Sequence, residues 1–253
     1  NSLIGPDFFA GTLIPDPVEM ARVNAFDWGN AFPEAMRAGG FDCVIGNPPY
    51  IRMETFKDLK SYLKTAFACH DERSDLYAYF IERAHKMLAP KGRFGMIVSN
   101  KFLRANYGRP LREFLHGEAT VERVVDFAGL PVFQGATVRT IVLLTKRPAR
   151  PQHAVLYSPP IPPEAFQAVS GGTLLVEDAI AQSTYSVAAD ALGGDSWSFG
   201  RQDAIDLLGR LHRVSDPLNE YCGAHICRGV VSGLNEAFVI DAQIRAAILR
   251  RNP

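Results

Sequence analysis

The sequence predicts an α/β fold with crossover helices over residues 1–148 of the 253-residue chain. Short apolar runs that fit buried strands alternate there with amphipathic segments of helical period. Their order is strand, helix, strand, helix, strand, strand, which is typical of the second half of an α/β sheet. After Lys146 this pattern gives way to a proline-rich stretch, so we place a domain boundary near residue 148.

Four strands and two helices account for this region. The apolar run from Phe41 to Gly46 ends before two prolines, so we expect a buried strand that enters a loop. A helix is expected from Ser74 to Leu88, with Ser74 as its N-cap and Pro90-Lys91-Gly92 as its end. The other predicted elements are a helix over Arg109–Leu115 and strands over Phe94–Val98, Val121–Phe127 and Thr137–Thr145.

Residues 149–253 are interpreted as a proline-rich linker and the beginning of a second domain. Six prolines between residues 148 and 163 interrupt any regular period. A less regular region follows, with a helix predicted near Gln202–Val214 and a strand near Ala237–Ile240.

Charge and composition limit the classes of function. The 27 basic and 27 acidic residues cancel, so any nucleic-acid contact must come from a local patch. No apolar run approaches the length of a membrane span, and no membrane partner is expected. The four cysteines are sparse, which favours reduced thiols in a cytoplasmic protein. The spacing of Cys222, His225 and Cys227 departs from that of a zinc knuckle, so no metal site is predicted.

The segment Asn47-Pro48-Pro49-Tyr50 follows the first predicted strand, where open α/β sheets place their ligands. The side-chain carbonyl of Asn47 and the backbone carbonyl of Pro48 are two acceptors that suit the hydrogens of one amino group. Accepting both hydrogens draws the nitrogen lone pair out of conjugation, and the nitrogen can then attack an electrophilic methyl group. Tyr50 offers an aromatic face for a planar group. The alternative is a proline-rich turn that serves as a docking peptide.

The run from Gly39 to Ile51 resembles motif IV of the adenine-N6 amino-methyltransferases, specifically the large fused Type IIG restriction–modification enzymes and their phage-defence relatives. Four other segments resemble parts of that family in the expected order. They are Phe26–Glu34 before motif IV, Ser74–Phe80 as motif V, Gly92–Val98 as motif VI and Leu130–Val138 as motif VIII. Arg228–Ile240 resembles the opening of the target-recognition domain of these enzymes.

The resemblance implies a fold and a reaction. The fold is the second half of a Rossmann-like class I methyltransferase sheet, mixed, with a final antiparallel strand. The reaction is transfer of a methyl group from S-adenosylmethionine to N6 of a flipped adenine in double-stranded DNA, within a prokaryotic restriction–modification or phage-defence enzyme. Asn47, Pro48 and Pro49 would form the catalytic loop around the amino group, and Tyr50 and Phe133 would stack on the base.

The resemblance also implies that much of the cofactor site lies elsewhere. The Gly-rich strand–loop–helix that holds S-adenosylmethionine in the family does not occur before Asn47. We therefore expect the chain to need the N-terminal methyltransferase half and the recognition domain of a parent protein, and to be inactive alone. Asn1 and Asp27 are the two candidates for contact with the adenine of the cofactor.

Residues 86–112 contain several basic side chains, which suit contacts with DNA phosphates. Lys101, Arg104 and Arg109 are the expected DNA contacts, and the alternative is a solvated face whose charges pair with acidic groups elsewhere. Two further functions stay open at this point. One is methylation of a protein glutamine or an RNA base by the same loop chemistry, and the other is a non-catalytic DNA-binding fragment.

Overall fold

The computed structural model describes residues 2–51, 58–133, 139–150, 154–193, 196–223 and 250. Within these ranges, six strands form one sheet: β1 Phe41–Gly46, β2 Leu88–Ser99, β3 Thr120–Asp126, β4 Thr140–Lys146, β5 Val155–Ser158 and β6 Tyr185–Val187. The α-helices are α1 Pro17–Val23, α2 Trp28–Ala31, α3 Pro33–Arg37, α4 Lys60–Ala66, α5 Tyr77–Lys86, α6 Arg109–Glu118, α7 Pro163–Ser170, α8 Val176–Ala181, α9 Gln202–Val214 and α10 Leu218–Tyr221. Short 3-10 turns cover Pro6–Phe9, Asn100–Leu103, Asn106–Gly108 and Ala189–Leu192.

The strand order β1-β2-β4-β3-β5-β6 makes the sheet mixed. β1 pairs with β2 and β3 pairs with β5 in parallel, whereas β4 lies antiparallel between β2 and β3. β6 is antiparallel to β5. Because β1, β2, β3 and β5 run in one direction, their carboxyl ends lie at the same edge as the amino end of β4. The predicted mixed α/β sheet, in which the last strand of residues 1–148 is antiparallel, is confirmed.

The core is built on the central strands β2 and β4. Alternate residues of a strand share one face, so the apolar runs of these strands bury every second side chain against the helices. α5 packs on β2, and α6 packs on β3 and α5. Burial of each large apolar side chain contributes about 1.5–3 kcal/mol. The cluster includes Phe94, Val98, Ile141, Leu143, Tyr79 and Ile81.

β1 is an edge strand, so the prediction that it is buried is wrong for this chain. Among the described residues it pairs with β2 alone, and the side chain of Ile45 is 80% exposed. An apolar strand is buried only when neighbours cover both of its sides, and the described residues supply one neighbour. The strand begins after Gly40, which has a φ of +125° and whose added Cβ would lie 2.4 Å from the Met87 carbonyl oxygen.

The helix before β2 is shorter than predicted. α5 begins at Tyr77 with Leu76 as its N-cap, so the prediction of Ser74 as the cap is wrong. Ser74 is buried, and its hydroxyl donates to the carbonyl of Tyr107 at 3.5 Å, which removes it from a capping role. The helix ends at Lys86, and Pro90-Lys91-Gly92 lies inside β2.

Residues after 148 extend the sheet. Val155–Ser158 pairs with β3, so this part of the predicted linker is a strand. The predicted helix Gln202–Val214 is confirmed as α9, while the predicted strand Ala237–Ile240 lies outside the described residues. The chain divides into two compact units, Asn1–Gln202 and Asp203–Pro253, and the assignment of residues 1–148 to a methyltransferase domain stays a prediction. No helix of the described ranges is long and apolar enough to span a membrane.

Candidate active site

The Asn47–Tyr50 loop leaves the sheet at the carboxyl end of β1. Pro48 is buried, whereas Asn47 and Pro49 are exposed. Within the part of the chain that the structure describes, the Asn47 side-chain amide and the Pro48 carbonyl have no hydrogen-bond partner. Two free acceptors therefore lie next to each other on a backbone that the prolines stiffen.

Tyr50 is held in place through its hydroxyl, which donates to the carbonyl of Ile97 in β2 at 3.1 Å. Burial raises the pKa of Tyr50 to about 12, so the phenol stays protonated at neutral pH. A protonated phenol that donates to the backbone is not a base. The side chain therefore offers the site its ring face, in a position set by β2.

Phe133 lies beside Tyr50, as the stacking prediction requires, but the two rings do not form a slot. Their centroids are 5.8 Å apart and their planes meet at 61°, an edge-to-face contact. A planar base between two parallel rings needs about 7 Å, twice the contact distance between carbon atoms. A base can therefore stack on one ring in this arrangement, and a sandwich requires the rings to separate and rotate.

A pocket of about 240 Å³ opens next to the loop. Its lining runs from Ser2 and Trp28 along β1 to Asn47 and Pro48, and Met96 contributes from β2. The indole nitrogen of Trp28 donates to the carbonyl of Ser2 at 3.1 Å, which fixes the ring at one end. The lining is mainly apolar with few polar groups, as in sites for small organic ligands.

The two candidate cofactor residues lie differently with respect to this pocket. Asp27 precedes the lining residue Trp28 but is not itself part of the lining. Its carboxylate caps α2 and accepts from the backbone nitrogen of Asn30 at 3.0 Å and from the Asn30 side chain at 2.8 Å. Asn1 lies outside the described residues. Contact of either residue with a cofactor stays a prediction.

The basic side chains of residues 86–112 fall into two groups. Several are engaged within the protein: Lys86 with Glu82, Arg93 with Glu122, Arg109 with Glu113, and Arg112 with the carbonyls of Phe102 and Ala105. Lys101 and Arg104 are exposed just after β2, at the edge that carries Asn47. Of the three predicted DNA contacts, these two lie at the site edge, and the side chain of Arg109 lies 2.9 Å from a carboxylate oxygen of Glu113.

Two further residues that line cavities of the sheet were missed by the sequence analysis. Trp28 lines the far end of the pocket, next to Phe41 at the amino end of β1, and Arg139 directly precedes β4. The sequence contained a signal for Arg139, because this residue directly precedes a strand that runs antiparallel to its neighbours. The amino end of such a strand lies at the carboxyl edge of the parallel strands, where Asn47 also lies. Among the described residues there is no group of three or more potential metal ligands. His225 and Cys227 lie outside them.

Comparison with known proteins adds to this geometry. Residues 14–133 match the family described as Eco57I restriction-modification methylase. The Type II methyltransferase M.BstVI of Geobacillus stearothermophilus is 29% identical over 85% of this chain and 40% of its own length. M.XhoI of Xanthomonas vasicola is 30% identical over 79% of this chain and 38% of its own length. The crystal structure of the type IIG restriction endonuclease BpuSI aligns with a TM-score of 0.46 and 14% identity, over 68% of this chain and 22% of that one.

The loop after β1 lies within residues 14–133, the segment that is similar to the Eco57I restriction-modification methylase family. This segment makes up slightly less than half of the 253-residue chain. The similarity confirms the resemblance that the motifs around Asn47 indicated. The chain spans less than half the length of M.BstVI and M.XhoI.

Proposed function

We propose that this chain supplies the catalytic loop of an enzyme that methylates N6 of a flipped adenine in double-stranded DNA. The enzyme would act within a restriction–modification or phage-defence system. The observation that carries the proposal is the pair of unpartnered acceptors among the described residues, the Asn47 amide and the Pro48 carbonyl, beside the ring of Tyr50. Two acceptors and one aromatic face are the groups that a planar ring with an exocyclic amino group needs.

The chemistry follows from these groups. Asn47 and Pro48 accept the two hydrogens of the amino group and localise the lone pair on its nitrogen. S-adenosylmethionine, when bound, supplies a methyl group on a positively charged sulfur. Asn47 and Pro48 would hold the amino nitrogen as it takes up that methyl group and releases one proton to solvent. The loop acts through orientation and fixed dipoles, and needs no strong base.

The pocket beside the loop fits part of the cofactor. It reaches from the aromatic ring of Trp28 to Asn47, so a ligand there would place one end on an aromatic face and the other next to the acceptors. Its volume of about 240 Å³ lies below the range of roughly 300–1,000 Å³ that is usual for complete small-molecule sites. We therefore assign to this chain one portion of the S-adenosylmethionine site, with Asp27 and Asn1 as candidate contacts.

The exposed edge of β1 supports a partner segment for the rest of that site. An unpaired apolar edge is a template for another strand, and Ile45 is 80% exposed on this one. We propose that the N-terminal methyltransferase half of the parent protein pairs here and brings the remaining cofactor contacts. The recognition domain of the parent protein would supply sequence specificity for DNA.

Lys101 and Arg104 are the proposed phosphate contacts next to the catalytic loop, because they are exposed at the same sheet edge. Arg109 is less available for a phosphate contact, because it forms an ion pair with Glu113 on the exposed side of α6. A flipped base would stack on Tyr50, and Phe133 would close the site once the two rings separate.

Mass spectrometry of nucleosides tests the proposal directly. The intact parent protein is incubated with DNA and S-adenosylmethionine beside its Asn47→Ala variant, and N6-methyladenine is quantified. We expect product from the wild type and a reduction of at least about a hundredfold in the variant, because one of two preorganised acceptors is removed. Unmodified DNA together with a methylated protein glutamine or RNA base would overturn the proposal in favour of another amino substrate. Transfer to no substrate would favour a binding module.

A further inference from the structure

A second cavity, of about 500 Å³, opens at the same edge of the sheet as the catalytic loop. It lies where β2, β3 and β5 end and where β4 begins. Asn100 follows β2, Asp126 ends β3, Pro159 follows β5 and Arg139 precedes β4, and all of them line it. The cavity is thus separate from the pocket beside Trp28 and depends on β5, a strand that the sequence pattern did not predict.

The cavity carries excess positive charge. Lys101, Arg104 and Arg139 line it, and among the described residues none of the three forms an ion pair. Asp126 is the carboxylate in the lining, and both of its oxygens are already engaged. One accepts from the backbone nitrogen of Ala128 at 2.7 Å, and the other accepts from the Tyr157 hydroxyl at 3.0 Å. An anion in the cavity would therefore lie near three cations and one carboxylate, and the oxygens of that carboxylate accept hydrogen bonds from the protein itself.

Part of the cavity wall is aromatic, and hydrogen bonds and ring contacts hold it in place. The backbone nitrogen of Trp197 donates to the Leu103 carbonyl at 2.7 Å, which attaches this segment to the end of β2. The Tyr185 hydroxyl donates to the Phe199 carbonyl at 2.7 Å. Phe199 also stacks on Tyr157, with centroids 4.8 Å apart and planes 5° from parallel. These contacts shape the cavity, and its charged groups are supplied by the cations and Asp126.

The cavity lies close to the catalytic loop. Tyr50 bonds to Ile97, and Asn100 at the cavity is three residues further along the same chain. At about 3.3 Å per strand residue this separation is roughly 10 Å. A group bound in the cavity can therefore belong to the same polynucleotide strand as a base bound at Tyr50.

We propose that this cavity binds a backbone phosphate of the DNA strand that carries the target adenine, with Arg104 and Arg139 as its main ligands and Lys101 at its rim. The proposal rests on the proposed function and adds a binding site to it. Planar guanidinium groups suit two oxygens of one phosphate, and the preformed wall lowers the cost of ordering the site. Its role is to hold the strand while the neighbouring nucleotide is extruded.

Salt-dependent DNA binding provides the test. Fluorescence anisotropy measures the affinity of the intact protein for a duplex between about 50 and 200 mM salt, the range over which phosphate contacts change affinity strongly. The test variants are Arg104→Gln, Arg139→Gln and the double variant. The matched control is Arg93→Gln, which removes an equal charge midway along β2, opposite the carboxyl end of β4, where Arg93 pairs with Glu122. We expect the slope of log affinity against log salt to become shallower by about 0.9 for each phosphate that the variant no longer neutralises, and to stay unchanged in the control.

A neutral phosphate analogue locates the bound phosphate without altering the protein. A single methylphosphonate is moved along the target strand, and the affinity of the wild type is compared with that of the double variant. We expect one position, within a few nucleotides of the target, where the analogue weakens binding of the wild type and leaves binding of the variant unchanged. Unchanged salt slopes, or equal weakening of both proteins at every position, would overturn the cavity assignment while N6-methyladenine formation still upheld the proposed function. Absence of both DNA binding and DNA methylation in the wild type would overturn the two together.

Discussion

Tyr50 allows the ring face and the hydroxyl to be tested separately. The ring is proposed to stack on the target base, whereas the hydroxyl bonds to the Ile97 carbonyl and positions the loop. Tyr50→Phe removes the hydroxyl and keeps the face. Tyr50→Ala removes both. The two variants therefore form a matched pair that differs by the aromatic ring.

The magnitudes follow from these interactions. A neutral hydrogen bond contributes about 1 kcal/mol to stability, and in a chain of this size about 1 kcal/mol corresponds to a shift of about 2–4 °C in Tm. Tyr50→Phe should lower Tm by that amount and leave kcat/KM for DNA within about threefold of the wild type, since stacking is retained. Removal of base stacking costs about 1–3 kcal/mol, so Tyr50→Ala should lower kcat/KM by about 5- to 150-fold.

Transfer of a labelled methyl group to duplex DNA gives kcat/KM, and differential scanning calorimetry gives Tm. If Tyr50→Phe is as impaired in activity as Tyr50→Ala while both remain folded, the hydroxyl is the essential group and the stacking role is refuted. If both variants keep full activity, the ring of Tyr50 does not contact the base at all.

Two further predictions concern the scaffold. Burial lowers the pKa of His85 from its usual value of 6.5 to about 4, and the neutral ring bonds to the Ile81 carbonyl and the Thr145 hydroxyl. Since the unfolded state binds the proton first, the free energy of unfolding should fall by about 3 kcal/mol as the pH drops from about 6.5 to about 4. Denaturant unfolding at several pH values measures this loss of free energy, and the His85→Gln variant should not show it. An equal dependence of the unfolding free energy on pH in the variant would contradict the assignment to His85. Ile45→Lys should change the free energy of unfolding of this chain by no more than about 0.5 kcal/mol, because the side chain is exposed. The same substitution should weaken association with the proposed N-terminal half. Co-purification of the two halves at wild-type yield would argue against pairing at β1.

Local sequence was sufficient for the catalytic loop and for most of the elements around it. The apolar run before Asn47 and the two prolines after it are adjacent in the chain, so their pattern alone predicts a strand followed by a stiff acceptor loop. The same holds for α6, for α9 and for the β-branched runs of β3 and β4, whose signals are contained within each segment. Their boundaries moved by a few residues where a tertiary interaction intervened, as at Ser74, which is buried against Tyr107.

Pairings between distant segments were decided only by the tertiary structure. The exposure of β1 depends on which strands flank it. β5 is short and lies between prolines, so its sequence alone does not indicate that it pairs with β3. The hydrogen bond from Tyr50 to Ile97 and the convergence of Arg104 and Arg139 join residues far apart in the chain. A periodic pattern specifies the conformation of one segment, because that depends on neighbouring residues. The partners of a segment depend on which surfaces the folded chain brings together.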